Sequence, residues 1–216
     1  MNEEGTDDLS RAAIWEIELN GDGQRLFATG LRNPVGLAYE PTTKRLWTTV
    51  NERDGLGETV PPDYLTEVID GAFYGWPYTY FGTYPDPTQM RLNPEKTEKA
   101  LTNSRVPNLA IDAHSVPLGL LFHSGINIDD RYKNGAFVAR RGGVSRSELT
   151  GYDLLFIPFE NGYPTGVIEA FMTGFIADQS KAEIYGRPVG LAEMNDGSIL
   201  LSDDGAGRIW RISKSD

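Results

Sequence analysis

Polar and charged side chains recur at both ends of short apolar segments in this sequence. One set comes directly before such segments and consists of Arg32, Asn33, His114, Ser115 and Arg187. A second set follows them and consists of Asn51, Glu52, Asp54, Arg140, Arg141 and Asp203. Guanidinium groups gathered in this way would suit a ligand with several carboxylates or phosphates, because the planar fork binds such groups through two parallel hydrogen bonds. Alternatively, these side chains only contact solvent or pair with each other across neighbouring repeat units of the chain.

A loop rich in acidic residues and glycine, residues 54–63, suggests a second chemistry. It carries Asp54 and Asp63 at its ends, and Ca²⁺ binds carboxylates and backbone carbonyl oxygens. The loop lacks the spacing of an EF-hand, so a solvated acidic loop is an equally good interpretation. Of the two histidines, His114 belongs to the first polar set, whereas His123 lies at the far end of a strand, where we expect a structural role. Two histidines and no cysteine argue against a zinc site.

The elements that position these residues are repeated along the chain. The segment RNPVGLA at 32–38 recurs as RPVGLA at 187–192 and, in weaker form, as VPLGLL at 116–121. A turn and a second apolar segment follow each copy, which is the pattern of a β-hairpin. In a hairpin the start of the first strand and the end of the second lie at the same end. Both polar sets are therefore expected at one end of the sheets.

Hairpins that recur with outer strands indicate a β-propeller built from four-stranded blades. The segment IWEI at 14–17 is a near copy of IWRI at 209–212, the third strand of the last unit. The first repeat of the chain therefore lacks its two inner strands. This indicates that the chain is the C-terminal part of a longer repeat protein. We expect an all-β, partial propeller domain over residues 12–216, with about three blades, after a disordered tail at residues 1–11.

Composition excludes several classes of partner. The chain has 216 residues, a formal net charge of −11 and no cysteine. Such an acidic balance argues against nucleic acid and anionic membranes as partners. No apolar run approaches the roughly 18 residues of a membrane span. The start of the chain is acidic and polar and shows no signal peptide.

Several segments together resemble sorbosone dehydrogenase-like proteins, which are relatives of the soluble glucose and aldose dehydrogenases that depend on pyrroloquinoline quinone (PQQ). The segments that carry the resemblance are 11–14, 30–38, 50–54, 62–64, 73–77 and 186–190. The resemblance implies a six-bladed propeller with PQQ and Ca²⁺ at the channel mouth, oxidation of a sugar or related alcohol, and a parent protein that is periplasmic or secreted.

The resemblance also implies roles for individual positions. Arg32 and Asn33 look like the quinone-side pair of the family motif, and Arg146 and Arg187 look like the cations that hold the carboxylates of PQQ. The repeats themselves, independently of the resemblance, predict His114, Arg141 and Asp203 at the rim of the central channel of the propeller. The predicted metal ligands are Asn51, Glu52 and Asp54 in a cofactor-side Ca²⁺ loop and Asp63 in a second Ca²⁺ site.

Two departures from the family matter. Many relatives read HGSWNRS where this chain has RGGVSRS at 141–147, which puts contacts to substrate or cofactor there in doubt. The histidine that acts as general base in the glucose dehydrogenases lies in the family's N-terminal half, so no catalytic residue is assigned and His114 is not its equivalent. The chain by itself is expected to be inactive.

Three functions therefore remain open. The first is a PQQ-dependent sugar dehydrogenase, of which this chain carries the cofactor half. The second is a Ca²⁺-dependent hydrolase of the lactonase kind, although arginines rather than carboxylates dominate the rim. The third is a non-catalytic binding or assembly module. Because three blades would leave two apolar faces exposed, the expected partners are a sugar and either the missing N-terminal half or a second copy of the chain.

Overall fold

The computed structural model describes residues 10–143 and 145–214 of the chain. The expected tail at residues 1–11 lies outside this part except for its last two residues. The described residues fall into two compact units. The first contains those up to Pro34 together with Glu67–Pro107, and the second contains Val35–Thr66 and those from Asn108 onward.

The fold is nearly all β. Its strands are β1 (Ala13–Glu16), β2 (Arg25–Thr29), β3 (Pro34–Tyr39), β4 (Leu46–Val50), β5 (Asp63–Glu67), β6 (Thr79–Tyr80), β7 (Tyr84–Pro85), β8 (Leu109–Ile111), β9 (Pro117–Phe122), β10 (Gly135–Arg140), β11 (Asp153–Glu160), β12 (Tyr163–Pro164), β13 (Glu169–Met172), β14 (Ile176–Asp178), β15 (Glu183–Ile184), β16 (Pro188–Glu193), β17 (Ile199–Asp203) and β18 (Arg208–Ile212). The helical elements are α1 (Pro87–Leu92), α2 (Pro94–Asn103) and a 3-10 turn at Asp130–Tyr132. None of the helices among the described residues is long and apolar enough to cross a membrane.

Apart from the two-stranded pair β14–β15, the described residues of the second unit form three sheets, and each of the three begins with one copy of the repeated proline segment. Blade A has the strand order β3-β4-β5-β8. Blade B has the order β9-β10-β11-β13, with β12 paired to the end of β11. Blade C has the order β16-β17-β18. The predicted all-β propeller blades are therefore confirmed, with the repeated segments as their first strands.

Neighbouring blades approach closely because the first strand of each carries a glycine at the same place. A Cβ atom on Gly36 would lie 2.3 Å from the carbonyl oxygen of Leu118, and one on Gly119 would lie 2.5 Å from that of Val189. Any side chain at these positions would push β3 away from β9, or β9 away from β16. The glycine of the repeated segment thus sets the spacing between blades.

The core consists of two apolar clusters, one between blades A and B and one between B and C. Strand β10 is buried along its whole length because its alternate side chains face the two clusters. Ala136 and Val138 pack with Trp47 of blade A, whereas Phe137 packs with Leu201 of blade C. Successive side chains of a strand point to opposite faces, so the middle blade supplies both cores.

Two long segments without a clear hydrophobic period contain regular structure. The connection 82–113 holds β7, α1, α2 and β8, and the loop 176–186 holds the hairpin β14–β15. Helix α1 begins where the Asp86 side chain accepts hydrogen bonds from the backbone N–H groups of Thr88 and Gln89. Both helices have proline in their first turn. An aspartate cap and a proline therefore start α1, whereas α2 starts at a proline without a side-chain cap. Both helices are too short for a helical hydrophobic pattern to be recognised.

In the first unit, β1 pairs with β2 and Phe73 adds a parallel bridge to Thr29. Arg25 on β2 holds this region together through ion pairs with Glu16 and Asp70, at 2.5 and 2.6 Å. The outer-strand pair predicted from the IWEI segment is therefore present.

Candidate functional site

Segments 113–116 and 141–143 lie against each other at one end of the second unit. The backbone N–H of Arg141 donates to Val116 O at 2.9 Å, and that of Gly142 donates to Ser115 O at 3.0 Å. A Cβ on Gly143 would lie 2.5 Å from His114 O. The glycine that stands here in place of the serine of many relatives therefore allows the two backbones to approach closely. The end of β10 and the residues before β9 therefore meet, as the hairpin argument predicts.

Two guanidinium groups are bound to this pair of segments. Arg187 Nη1 donates to Gly142 O at 3.1 Å, and Arg146 Nη1 donates to Ala113 O at 3.5 Å. Both side chains are half-buried. Within the described part of the chain neither forms an ion pair, and their hydrogen bonds run to backbone carbonyls. Both positive charges are thus held at the same pair of segments, and none of the described carboxylates forms an ion pair with either.

Tyr152 supports Arg187 and was missed by the sequence analysis. Its fully buried ring lies under the Arg187 guanidinium at 5.1 Å, and its hydroxyl donates to Gly143 O at 3.2 Å. A Cβ on Gly142 would lie 2.2 Å from the same ring. The one available signal was Gly151 directly before it, since the two residues have φ angles of 87° and 60° and form a tight turn into β11.

His114 contacts the acidic loop 54–63 through both of its ring nitrogens. Its Nδ1 lies 3.0 Å from an Asp54 carboxylate oxygen, and its Nε2 lies 2.8 Å from Gly57 O. The next residues of the loop are held too, because Ser147 Oγ donates to the Glu58 carboxylate at 2.8 Å. His114 is buried, and both ring nitrogens face oxygen atoms. It therefore acts as a clamp on the loop and offers no free nitrogen to a substrate.

Asp63 is buried beneath the loop and accepts three hydrogen bonds. The donors are the backbone N–H groups of Glu52 at 2.9 Å and Val116 at 3.0 Å and the hydroxyl of Ser115 at 3.4 Å. Burial raises the pKa of Asp63 to about 6, although these hydrogen bonds and nearby His114 oppose the shift. The carboxylate therefore joins blade A to the segment before blade B.

The other predicted Ca²⁺ ligands are not gathered around one point by their side chains. Asn51 Nδ2 donates to Pro117 O at 3.3 Å, and Asp54 faces His114. Residues 10–143 and 145–214 contain no group of three or more histidine, aspartate or glutamate side chains placed to hold a metal ion. The carboxylates alone do not fit a Ca²⁺ site, so the site stays a prediction that needs backbone or ligand oxygens.

Asp203 and Arg141, which were both predicted at the channel rim, form contacts with residues of blade C. Asp203 accepts hydrogen bonds from Arg187 N at 2.7 Å and from Trp210 Nε1 at 3.0 Å. Burial raises the pKa of Asp203, but these hydrogen bonds outweigh it and hold the pKa below its usual value. Arg141 pairs with Asp204 at 2.6 Å. Their charges are therefore compensated by protein groups.

Arg140, at the end of β10, forms a buried ion pair. Its Nε and Nη2 atoms each lie 2.7 Å from an oxygen of Asp153, and its Nη1 lies 2.7 Å from Asp112. Burial lowers the pKa of Arg140, but the bonds to the two aspartates prevail and raise it. Arg140 is thus paired within blade B through Asp153 and with Asp112, which follows the last strand of blade A.

Two further predictions concern the pair Arg32 and Asn33 and the second histidine, His123. Arg32 and Asn33 belong to the first unit, where Arg32 is half-buried and Asn33 is exposed. His123 is buried, its Nδ1 accepts from Gly125 N at 2.9 Å, and its Nε2 therefore donates to Gly197 O at 2.8 Å. The structural role expected for His123 is confirmed.

Comparison with known proteins gives the family. The model of the TrAA12-like family matches residues 8–215. The chain belongs to the TrAA12-like family. An uncharacterized protein of Borreliella burgdorferi is 32% identical over 206 residues, which are 93% of this chain and 52% of that protein.

Solved structures similar to this TrAA12-like chain include two fungal proteins. The calcium structure of Trichoderma reesei Carbohydrate-Active Enzymes Family AA12 has a TM-score of 0.72 at 24% identity and is matched over 88% of this chain and 54% of that chain. The holo form of the pyranose dehydrogenase PQQ domain from Coprinopsis cinerea has a TM-score of 0.74 at 20% identity, over 97% and 63%.

A bacterial relative extends this set. The PQQ-bound aldose sugar dehydrogenase from Streptomyces coelicolor has a TM-score of 0.62 at 18% identity, over 94% of this chain and 52% of that chain. At these identities the likeness shows the propeller fold. The TrAA12-like chain spans about half the length of these relatives. The predicted kinship with PQQ-dependent sugar dehydrogenases is confirmed at the level of family and fold.

Proposed function

We propose that this chain is the cofactor-binding part of a PQQ-dependent sugar dehydrogenase and that Arg146 and Arg187 bind the carboxylates of PQQ. The observation that carries the proposal is the pair of half-buried guanidinium groups whose hydrogen bonds run to backbone carbonyls. PQQ is a flat tricarboxylate, and guanidinium groups bind carboxylates through charge-assisted hydrogen bonds. When bound, it supplies a quinone that accepts a hydride from C1 of an aldose.

The residues around the pair are suited to hold it in place. The Tyr152 ring stabilises Arg187 through a cation–π contact, and the close approach of Gly142 to that ring fixes the carbonyl that Arg187 binds. An arginine that is already oriented loses little freedom when its ligand arrives. Arg32 and Asn33 are proposed as further contacts on the quinone side.

Calcium is proposed at the loop that contains Asn51, Glu52 and Asp54. Asp63 would contribute only by giving up hydrogen bonds to Glu52 N and Val116 N. Backbone carbonyls and ligand oxygens would have to complete the coordination. We derive no catalytic step from this ion.

The general base is proposed to come from outside this chain. Both nitrogens of His114 already face oxygens, and His123 holds Gly197 O. A sugar hydroxyl therefore finds no histidine nitrogen on this chain to accept its proton. The purified chain should bind PQQ yet show no dye reduction with glucose above that of a protein-free control.

The family resemblance also supports a periplasmic or secreted parent protein, which fractionation of the source cells would test.

Calorimetric titration with PQQ tests the proposal. Arg187→Gln should weaken binding by about 10- to 100-fold, because a hydrogen bond to a charged group contributes about 1.5–3 kcal/mol. Arg141→Gln is the matched control, since Asp204 already neutralises Arg141, and its effect should be several-fold smaller. Equal affinities of the wild type and Arg187→Gln, or no binding by the wild type, would contradict the proposal.

A further inference from the structure

Inside the second unit, one kind of contact between blades is made twice. Leu120 on β9 is buried in the cluster that contains Trp47 of blade A. Leu191 on β16 packs in the same way against the cluster that contains Phe137 of blade B. In each contact, the apolar face of the first strand of one blade lies over the glycine in the first strand of the blade before it. The later blade therefore supplies an apolar side to the contact, and the earlier blade supplies a glycine side.

Strand β3 carries the same apolar side, but its residues are exposed. Val35, Leu37 and Tyr39 alternate along β3 and are 46%, 51% and 66% exposed. In the repeat they occupy the places of Leu118, Leu120 and Phe122. Monomeric proteins rarely leave a continuous apolar stripe of this kind open. We name these three residues the β3 face.

Blade C carries the glycine side of the contact, which is also open. A Cβ on Gly190 would meet only Ser202 Oγ at 3.0 Å, whereas at Gly36 and Gly119 it would meet the next blade. Ile209, on β18 of the same blade, is 71% exposed. We name Gly190, Ser202 and Ile209 the blade C face.

A hydroxyl group makes the match between the two faces specific. Between blades A and B, Thr49 Oγ1 accepts a hydrogen bond from Gly36 N and donates one to Leu118 O, both at 2.9 Å. Ser202 Oγ likewise accepts from Gly190 N at 2.8 Å. The residue that corresponds to Leu118 on the exposed first strand is Val35, whose carbonyl oxygen is the matching acceptor. The chain therefore carries both halves of a contact that it already makes internally.

We propose that a second copy of this chain docks head to tail, with the β3 face of each copy on the blade C face of the other. Two such contacts form a closed two-fold ring, and closure removes both open faces at once. Ser202 of one copy would donate to Val35 O of its partner. Neither contact involves Arg146 or Arg187, so this assembly and the proposed binding of PQQ can be tested separately.

Sedimentation of the purified chain without PQQ tests the assembly. The wild type should sediment at twice the 23.9 kDa of one chain. Leu37→Glu and Ile209→Glu should each weaken the dimer by more than about 30-fold, because each places a charge inside both contacts. Both positions are exposed within one copy, so the thermal melt should show that each variant folds.

Mixing the two variants gives a sharper result. Leu37→Glu keeps an intact blade C face and Ile209→Glu keeps an intact β3 face, so an equimolar mixture should recover a dimer through one good contact. Val167→Glu adds the same charge at a position that is 51% exposed and outside both faces, and this variant should remain dimeric.

A wild type that stays monomeric at every concentration would overturn the proposal. Species larger than a dimer, or variants that do not complement each other, would overturn the head-to-tail ring.

Discussion

Replacing Arg140 with methionine is expected to destabilise the second unit strongly. The Arg140 side chain is 9% exposed and the Asp153 side chain 11%, and the two lie opposite each other on β10 and β11. Methionine keeps most of the length of the arginine side chain but removes all of its donors. The carboxylate of Asp153 would then be buried without its partner.

The expected cost follows from the burial of this pair. Removing one partner of a buried ion pair costs about 3–5 kcal/mol, because the remaining charge is left uncompensated. Asp112 would lose a bond too, but its side chain is 61% exposed and water can replace the arginine. For a chain of this size, 1 kcal/mol shifts the melting temperature by roughly 2–4 °C. The melting temperature of Arg140→Met should therefore fall by about 6–20 °C.

Urea denaturation and thermal melts, followed by circular dichroism, measure the effect. Arg131→Met is the matched control, because Arg131 is 64% exposed in its ion pair with Glu169. Exposed pairs contribute only about 0–1 kcal/mol, so this variant should stay close to the wild type. The double variant Arg140→Met/Asp153→Leu should recover most of the loss, since no buried charge remains.

Two outcomes would refute this reasoning. If Arg140→Met costs less than about 1 kcal/mol, Asp153 is not an uncompensated buried charge in the variant. If the double variant is no more stable than Arg140→Met, the loss comes from packing or from Asp112 rather than from the unpaired carboxylate.

Three further predictions concern spacing, protonation and metal binding. Gly119→Ala should cost about 1–3 kcal/mol in a denaturant melt, because its Cβ would overlap Val189 O, and an unchanged midpoint would contradict the close approach. The pKa of Asp63 is raised to about 6 by burial, so its stabilising contribution is complete below about pH 4 and is lost as the pH rises through 6. The free energy of unfolding of the wild type, relative to Asp63→Asn, should thus fall by about 3 kcal/mol between pH 4 and 7, and a flat difference would contradict the shift. With PQQ present, Ca²⁺ should raise the melting temperature of the wild type and of Asp130→Asn but less that of Asp54→Asn, and equal shifts in all three would exclude Asp54 as a ligand.

Much of the architecture could be predicted from the sequence because each blade is specified locally. The copies of the PVGLA segment carry a proline that starts a strand, alternating apolar residues and a glycine. The turns between strands are marked by glycine, asparagine and aspartate, which adopt the required backbone angles. The hairpins, the end at which polar residues gather and the kinship of the fold follow from these short-range signals. Helices α1 and α2 could not be predicted in full, because both start at a proline, only α1 has a side-chain cap, and both are too short for a hydrophobic period to emerge.

Only the tertiary structure decided what each polar residue does. Arg140 and Arg141 are adjacent in the sequence, yet Arg140 is buried against Asp153 and Arg141 lies near the surface with Asp204. Tyr152 gave no chemical signal, because its role depends on lying beneath Arg187. Groups far away in the chain decide whether a charge is neutralised or remains available to a ligand. The reason is that the strength of an electrostatic interaction depends on distance in space and on burial, not on position in the sequence.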